Sequence, residues 1–322
     1  MAMMLRQTTA NIVLAAASVL IGLLLVEAAL RLIYPVAIMN IEAERARPAG
    51  EELIVADDSL GLRPALKTSM YDGDGVLFGR SISAKTSNPY KILFIGDSVT
   101  GRGRIVAALA EALGSERTAF LNGGVDGYNI QQEVEFFLRY QAGTNPDAIV
   151  HQLHINDLQP TTLVVRGRDG RVRSYSPRMK PASVNAWLYR HSQIYRFYIL
   201  QFRSRFSQDE LRAAAYDALR KMRDYARERK IAYHVFLFPN LAPYEEWSAH
   251  DKASRDYLLR ISGELGLGTV DLWPLAERLI RLGVDAQDSP GDTWHPNRRF
   301  AEEAARYLIA RIPALTPPAP KD

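Results

Sequence analysis

From Lys91 onward, short apolar runs alternate with longer helical runs up to about residue 312. Runs such as "KILFIG", "TAFLN" and "AIVHQL" are four to six residues long and rich in branched or aromatic side chains, which is typical of buried strands. The runs between them, for example "RIVAALAEALG", repeat apolar residues at helical spacing. Alternation of this kind predicts an α/β fold with a parallel sheet covered by helices on both faces.

An apolar segment precedes this alternation. Residues 12–26, "IVLAAASVLIGLLLV", have no charge, and the apolar pattern continues to Tyr34, where Pro35 ends it. A helix from the start of this run to Tyr34 rises about 34 Å at about 1.5 Å per residue, which is enough to cross a hydrocarbon core of about 30 Å. We therefore predict one N-terminal transmembrane helix, a signal anchor, at residues 10–34.

A cleaved signal peptide is the alternative, since "VEA", ending at Ala28, is an acceptable cleavage site. The anchor is favoured because the apolar pattern runs through that site, with Glu27 and Arg31 spaced four apart as a helical ion pair. Basic residues lie on both sides of the segment, so their count does not favour export. A short tail before a first apolar segment is typical of a signal anchor, and we expect the following domain on the outer side of the cytoplasmic membrane.

The remaining boundaries follow from composition and turn signals. A long insertion with a polar and aromatic composition interrupts the α/β domain. The predicted segments are an N-terminal tail (1–9), the anchor (10–34), a membrane-proximal segment of short strands and loops (35–88), the α/β domain (89–314) with its insertion (159–206), and a disordered tail (315–322).

The insertion contains two predicted elements. "TTLVVRGRDGRVRSYSP" has the pattern of a β-hairpin with Asp169 and Gly170 at its turn. "NAWLYRHSQIYRFYILQFRSRF" is typical of a basic, aromatic helix. The insertion either packs against the domain with a solvated hairpin, or forms a lid over a site, or faces an anionic lipid or polymer.

Composition excludes several functions. The chain has no cysteine, which excludes a disulfide framework, a thiolate zinc site and a cysteine nucleophile. Its net charge of +4 over 322 residues is a mild excess, and no segment resembles a nucleic-acid-reading module. His151 and His154 are three apart on a predicted strand and so lie on opposite faces. We therefore predict no metal, no cofactor and no nucleic-acid partner.

Polar residues follow the predicted strands at their carboxyl ends, where ligands bind in parallel α/β sheets. Gly-Asp-Ser at 96–98 follows the first strand, "NGGVDGYN" the second, and Asn156 the third; "DSPGDTWHPN" precedes the last helix and contains Asp292 and His295. A hydroxyl, an imidazole and a carboxylate are the groups that nucleophilic acyl transfer needs. Backbone N–H groups and an amide can stabilise the oxyanion that develops.

These motifs, in this order, resemble the four blocks of the SGNH/GDSL hydrolase superfamily, over residues 89–312. The matching residues are Gly96, Asp97 and Ser98; Asn122, Gly124 and Gly127; Asn156 and Asp157; and Asp292 and His295. The resemblance implies a flavodoxin-like, three-layer α/β/α fold. It also implies Ser98 as nucleophile, His295 as base, Asp292 as its orienting acid, and an oxyanion hole from the Ser98 and Gly124 N–H groups and the Asn156 side chain.

Two positions depart from the family pattern. Val99 and Thr100 follow the first block, which is routine variation, and His154 replaces the usual glycine of the third block. His154 lies two residues before Asn156 on the same strand face. Either it narrows the site or bonds to substrate, or it is a satisfied histidine at a strand end.

The expected function is a membrane-anchored serine esterase that deacylates O-acyl esters of the cell envelope, since the anchor and the membrane-proximal segment also resemble bacterial envelope members of the superfamily. The alternative uses the same residues to transfer acetyl groups to a cell-surface polysaccharide, as a partner of a membrane-bound acyltransferase. A third hypothesis is a non-catalytic subunit of a membrane complex. The expected partners are an acyl ester substrate, which is a polysaccharide or a lipid, the membrane through residues 10–34, and a membrane protein.

Overall fold

The structure is a computed structural model that describes residues 2–33, 53–57, 60–160, 163–166, 172–175, 186–202 and 207–318. Internal contacts divide the chain into two compact units. One unit joins residues 1–42 to residues 162–205, and the other joins 43–161 to 206–322. The predicted insertion therefore groups with the N-terminal helix rather than with the α/β domain.

The described elements follow the predicted alternation. The helices are α1 (Ala2–Ile33), α2 (Ser98–Gly101), α3 (Arg104–Leu113), α4 (Ile130–Arg139), α5 (Ala186–His191), α6 (Gln193–Phe202), α7 (Gln208–Arg229), α8 (Ala249–Glu264), α9 (Trp273–Arg281) and α10 (Arg298–Ile309). The strands are β1 (Ile54–Asp57), β2 (Gly61–Pro64), β3 (Tyr90–Ile95), β4 (Thr118–Asn122), β5 (Ala148–His154), β6 (Leu163–Arg166), β7 (Val172–Tyr175), β8 (Ala232–Phe238) and β9 (Gly268–Asp271).

Five strands form the central sheet, in the order β4-β3-β5-β8-β9, and every neighbouring pair is parallel. Numbered along the chain within this sheet, the order is 2-1-3-4-5, which is the flavodoxin-like order. The predicted α/β fold with a parallel sheet is confirmed. All residues of β5, the middle strand, are buried, which explains its nearly continuous apolar sequence.

Strand order also explains the helix layers. The chain moves from β3 to β4 in one direction and then returns past β3 to β5, β8 and β9 in the other. Right-handed crossovers therefore put α3 on one face of the sheet and α4, α7 and α8 on the opposite face. The packing agrees, because α3 packs against α10 while α4 packs against α7.

The membrane-proximal segment is packed onto the α/β domain where the structure describes it. β1 and β2 form a short antiparallel hairpin, and Ile82 pairs with Phe120 on the edge strand β4. The Gln132 side chain of α4 donates to the Leu60 carbonyl, and the Tyr128 hydroxyl donates to that of Leu62. The Ile82 bridge covers part of the β4 edge of the sheet, which is otherwise open to pairing with another chain.

Helix α1 contains the stretch Thr8–Leu32, which has a mean hydropathy of 2.5 and is long and apolar enough to cross a membrane. In the insertion, β6 and β7 form the predicted antiparallel hairpin, and its turn at Asp169 and Gly170 lies outside the described residues. The single helix predicted after the hairpin was wrong. Two helices meet at Ser192, whose hydroxyl accepts a hydrogen bond of 3.1 Å from the Tyr195 N–H and so begins α6.

The packed part of the chain extends slightly past the predicted boundary at 314. Leu315 is fully buried at the end of a short 3₁₀ turn that follows α10. Its side chain belongs to the core, so the segment 315–322 predicted as a tail begins with a packed residue. Residues 319–322 lie outside the described residues.

Candidate active site

Ser98 is the first residue of α2 and follows the end of β3 by three positions. The capping residue of α2 is Asp97, whose Oδ1 accepts a hydrogen bond of 2.9 Å from the Val99 N–H. Asp97 is buried, and its carboxylate satisfies a backbone donor that would otherwise lack a partner at the helix start. The Ser98 hydroxyl is therefore not needed as a cap and is free to face another group.

That group is His295. The Ser98 Oγ lies 2.9 Å from the His295 Nε2, although the two residues are 197 positions apart in the sequence. The His295 Nδ1 in turn lies 2.9 Å from both carboxylate oxygens of Asp292. An ionised carboxylate can only accept, so Nδ1 carries the ring hydrogen and Nε2 accepts from the serine hydroxyl.

The loop before α10 folds around Asp292. Its Oδ1 accepts hydrogen bonds of 3.2 Å from the backbone N–H groups of both Trp294 and His295. Burial raises the pKa of Asp292, but the hydrogen bond from His295, the Trp294 N–H and the positive charge of Arg102 outweigh it, so the pKa lies below its ordinary value. Asp292 is therefore ionised at neutral pH and keeps His295 in the required tautomer.

Arg102 contacts the candidate site and is not among the residues predicted from the sequence. Its Nη1 lies 2.8 Å from Asp288 and 3.5 Å from Asp292, so it links the turn after α2 to the histidine loop. One feature of the sequence indicates this role, because Arg102 is a basic residue one helical turn after Ser98.

Gly124 lies in the turn after β4, the strand that neighbours β3, and Ser98 follows β3. A Cβ at this position would collide with the backbone of Gly101 at the end of α2, so this close approach requires glycine. The Gly124 N–H donates to the Asn122 Oδ1 at 3.0 Å, and the Asn122 amide donates to the Thr100 carbonyl at 2.8 Å. The predicted oxyanion donor is thus close to α2 but already has an acceptor.

Asn156 is half-buried in the turn that follows β5, on the other side of β3. Asp157 shapes this turn, because its N–H donates to the His154 carbonyl at 3.0 Å and its Oδ2 accepts from the His154 N–H at 2.5 Å. Within the described residues, no hydrogen bond joins Asn156 or Gly124 to Ser98 or His295. The structure therefore brings Ser98, His295 and Asp292 into contact and places the other two residues at neighbouring strand ends.

His154 is fully buried. Its ring meets Trp294 edge-on at 5.1 Å between centroids and Phe238 at 5.6 Å, and its Nδ1 is 3.6 Å from the Asp97 Oδ2. Burial lowers the pKa of His154, so the ring is neutral at neutral pH. It lies beneath the site, which leaves it no exposed surface for contact with a substrate.

A second polar network, formed by Glu133, His151 and Tyr233, was not predicted from the sequence. Glu133 on α4 is fully buried, and its Oε2 lies 2.8 Å from the His151 Nε2, while the His151 Nδ1 lies 2.8 Å from the Tyr233 hydroxyl. Burial and the nearby Asp157 and Asp97 raise the pKa of Glu133 well above its ordinary value. The available signal was the position of Glu133 among the apolar residues Ile130, Val134 and Phe137 of one helix face.

Across the described ranges, no group of three or more histidine, aspartate or glutamate side chains is arranged to hold a metal ion. No protein-family model matches the chain, and no curated protein matches it.

Several solved structures are similar to the chain. LAE5, an alpha/beta hydrolase enzyme from the metagenome of Lake Arreo in Spain, is 17% identical with a TM-score of 0.46, over 73% of this chain and 99% of that one. A GDSL-like lipase from Parabacteroides merdae is 13% identical with a TM-score of 0.46, over 72% and 100%. The acetyl xylan esterase AlAXEase is 12% identical with a TM-score of 0.47, over 68% and 98%. At these values the likeness decides nothing about activity.

Proposed function

We propose that this protein is a serine esterase of the SGNH type that cleaves O-acyl esters through an acyl-Ser98 intermediate. The observation that carries the proposal is the continuous chain of contacts from the Ser98 Oγ through both nitrogens of His295 to Asp292, each of 2.9 Å. A serine hydroxyl is a weak nucleophile until a base takes its proton, and a neutral imidazole in this tautomer is that base. The first and last of the four motifs that resemble the SGNH/GDSL superfamily contain the same three residues.

The reaction has two steps. In the first, the His295 Nε2 takes the Ser98 proton as the oxygen attacks the ester carbonyl, and the imidazolium then gives that proton to the departing alcohol. In the second, His295 activates a water molecule, which attacks the acyl-serine and releases the acid. The Asp292 carboxylate stabilises the imidazolium in both steps.

The oxyanion that forms in each step needs donors. The Ser98 N–H is the first N–H of α2, and within the described residues it has no acceptor. The Asn156 amide and the Gly124 N–H are the other proposed donors. The Gly124 N–H can donate to the oxyanion only after it leaves the Asn122 Oδ1. The oxyanion carries the greater negative charge and is therefore the better acceptor.

The test is labelling with a fluorophosphonate probe, together with hydrolysis of a short-chain nitrophenyl ester. We expect wild type to be labelled and to turn over the ester, and Ser98→Ala to do neither. Ser87→Ala, at an exposed serine three residues before β3, is the control and should behave as wild type. Labelling that persists in Ser98→Ala contradicts the proposed nucleophile. If the protein is labelled, does not hydrolyse the ester and transfers the acyl group to an added polysaccharide, its reaction is acyl transfer and not hydrolysis.

We place this esterase at the cytoplasmic membrane, held by residues 10–34 with its catalytic domain facing the cell envelope. The support is the length and hydropathy of Thr8–Leu32, none of which is buried. Protease added to intact spheroplasts should digest the catalytic domain, and the domain should remain in the membrane fraction after a high-salt wash. Protection from the protease contradicts this orientation.

A further inference from the structure

Glu27 lies in the apolar helix α1 but caps another helix. Its carboxylate accepts hydrogen bonds from the Ser192 hydroxyl at 3.0 Å, the Gln193 N–H at 2.8 Å and the Ile194 N–H at 3.0 Å. The last two are donors at the start of α6 that no intrahelical acceptor can take. A negative charge there also interacts favourably with the positive end of the helix dipole.

Arg31 completes the connection. It forms an ion pair of 2.8 Å with Glu27, as its spacing predicted, and its Nη2 also donates to the His191 carbonyl at the end of α5 at 2.8 Å. The two charged residues of the apolar stretch Thr8–Leu32 therefore hold the junction between α5 and α6. Cleavage after Ala28 would separate Glu27 from Arg31 and remove the carboxylate that accepts from the first two N–H groups of α6, which argues that α1 is retained in the mature protein.

A groove of about 540 Å³ runs between α1 and the α5–α6 pair. Its polarity changes along α1. The residues toward the middle of α1 are Leu20, Leu23 and Leu24, and the residues toward its end are Glu27 and Arg31. On the opposite wall, Trp187 and Tyr198 are 66% and 45% exposed, although both are large aromatic side chains.

The dimensions of this groove match one leaflet of a bilayer. From Leu20 to Arg31, the helix rises about 16 Å at about 1.5 Å per residue, and half of a hydrocarbon core of about 30 Å is about 15 Å. With Arg31 at the headgroup level, the groove leucines lie in the hydrocarbon. Trp187, on α5 next to His191, then lies near the interface, where tryptophan and tyrosine are enriched.

We propose that α1, α5 and α6 form one membrane-embedded unit, and that an acyl chain of a bilayer phospholipid occupies the groove. The apolar end of the groove is continuous with the exposed apolar surface of α1, so the lipid that surrounds α1 has direct access to it. The polar end contains a cation and backbone-bound carboxylate at the depth of the lipid glycerol and phosphate. In this arrangement α5 and α6 lie in the leaflet that adjoins the C-terminal end of α1.

The absence of cysteine permits a direct test by site-directed spin labelling of the full chain in phosphatidylcholine vesicles. Nitroxides are attached to Trp187→Cys and Tyr198→Cys, and to Asp217→Cys as the control, a helix-surface position in the α/β domain. Collision rates are measured with oxygen, which concentrates in hydrocarbon, and with a water-soluble nickel chelate. We expect the oxygen-to-nickel ratio at positions 187 and 198 to exceed that at 217 at least fivefold.

A ratio at either test position equal to that at 217 overturns the proposal. Dipolar coupling between Tyr198→Cys labels on two chains also overturns it, because a second copy then fills the groove in place of lipid. Thermal unfolding followed by circular dichroism confirms that each labelled variant is folded. None of these readings depends on Ser98, so the result stands whether or not the protein is an esterase.

Discussion

The neighbouring residues Asp97 and Ser98 have different roles, one as the cap of α2 and the other as the partner of His295, and the sequence motif does not show which residue has which role. Both side chains are good helix caps, and either could begin α2. Asp97 takes the cap with its buried carboxylate, and Ser98, one position later, places its oxygen on His295. The turn between β3 and α2 thus leaves the Ser98 hydroxyl available to His295, because the cap of the helix comes from Asp97.

At the residue scale, Asp292→Asn tests the orienting carboxylate. We expect kcat for ester hydrolysis to fall by about 10⁴, the value known for the equivalent change in a serine protease, because the amide favours the wrong imidazole tautomer. The control is Asp288→Asn, which alters the other ion pair of Arg102 and leaves unchanged the Asp288 backbone N–H that donates to the His295 carbonyl. It should retain kcat within about tenfold, and an equal loss in both variants assigns the effect to Arg102 instead.

His154→Leu tests the buried histidine. The ring is neutral at neutral pH because burial lowers its pKa, and in the described part of the chain no hydrogen bond joins it to Ser98. Leucine keeps a similar volume between Trp294 and Phe238. We expect kcat/KM to remain within about tenfold and the pH–rate profile between pH 5 and 9 to be unchanged. A displaced acidic limb means that His154 takes part in the proton transfers.

At the scale of elements, the turn after β4 and helix α2 are fitted to each other through two backbones. Gly124→Ala puts a methyl group against the backbone of Gly101, which cannot move aside without shifting α2. We expect loss of most esterase activity and a decrease in the free energy of unfolding of about 1–3 kcal/mol, measured by urea titration. The control is Gly263→Ala on α8, where a Cβ meets nothing and stability should not decrease.

The junction of α1 with α6 gives a second prediction at this scale. Glu27→Gln removes the charge and one of the two carboxylate acceptors that cap α6. The loss of a cap costs about 0.5–2 kcal/mol, so we expect amide hydrogen exchange in residues 193–198 to accelerate by about 2- to 30-fold. The control is Glu111→Gln, in the α/β domain. Unchanged exchange in Glu27→Gln contradicts the capping role.

At the scale of the whole molecule, the buried network of Glu133, His151 and Tyr233 makes stability depend on pH in two opposite ways. Burial lowers the pKa of His151 to about 3, so its contribution is complete above about pH 6.5 and is lost as the pH falls. The pKa of Glu133 is raised, so its contribution is present below about pH 4.3 and is lost as the pH rises through its folded value.

Glu133→Gln should remove the second of these effects. The free energy of unfolding of the variant, relative to wild type, should increase with pH above about pH 4.3 by up to about 1.4 kcal/mol per unit. Urea unfolding at pH 5, 6 and 7 measures this difference. Glu135→Gln is the control on the same helix, since the pKa of Glu135 is lowered and its contribution is constant over this range. A pH-independent difference for Glu133→Gln shows that Glu133 is ionised when folded.

Much of the fold and the choice of site residues could be predicted because both depend on local pattern. Strand and helix periodicity in residues 91–312 is set by which side chains face the sheet, and a parallel sheet then brings the strand ends to one edge. The motifs of the sequence predict Ser98, Asp292 and His295 as site residues at this edge. The apolar length of residues 10–34 likewise predicts a helix long enough to span a membrane, and the Glu27–Arg31 spacing predicts their ion pair.

Only the tertiary structure decided which partners these groups take. The backbone of Gly124 lies against that of Gly101, His154 is turned under the site against Trp294, and Glu27 caps a helix more than 160 residues away. Each of these contacts joins segments whose own periodicity is satisfied without it, so no local pattern records it. The sequence by itself determined the elements and the chemistry available at their ends. Packing determined the geometry, because a hydrogen bond depends on distances that only the folded chain sets.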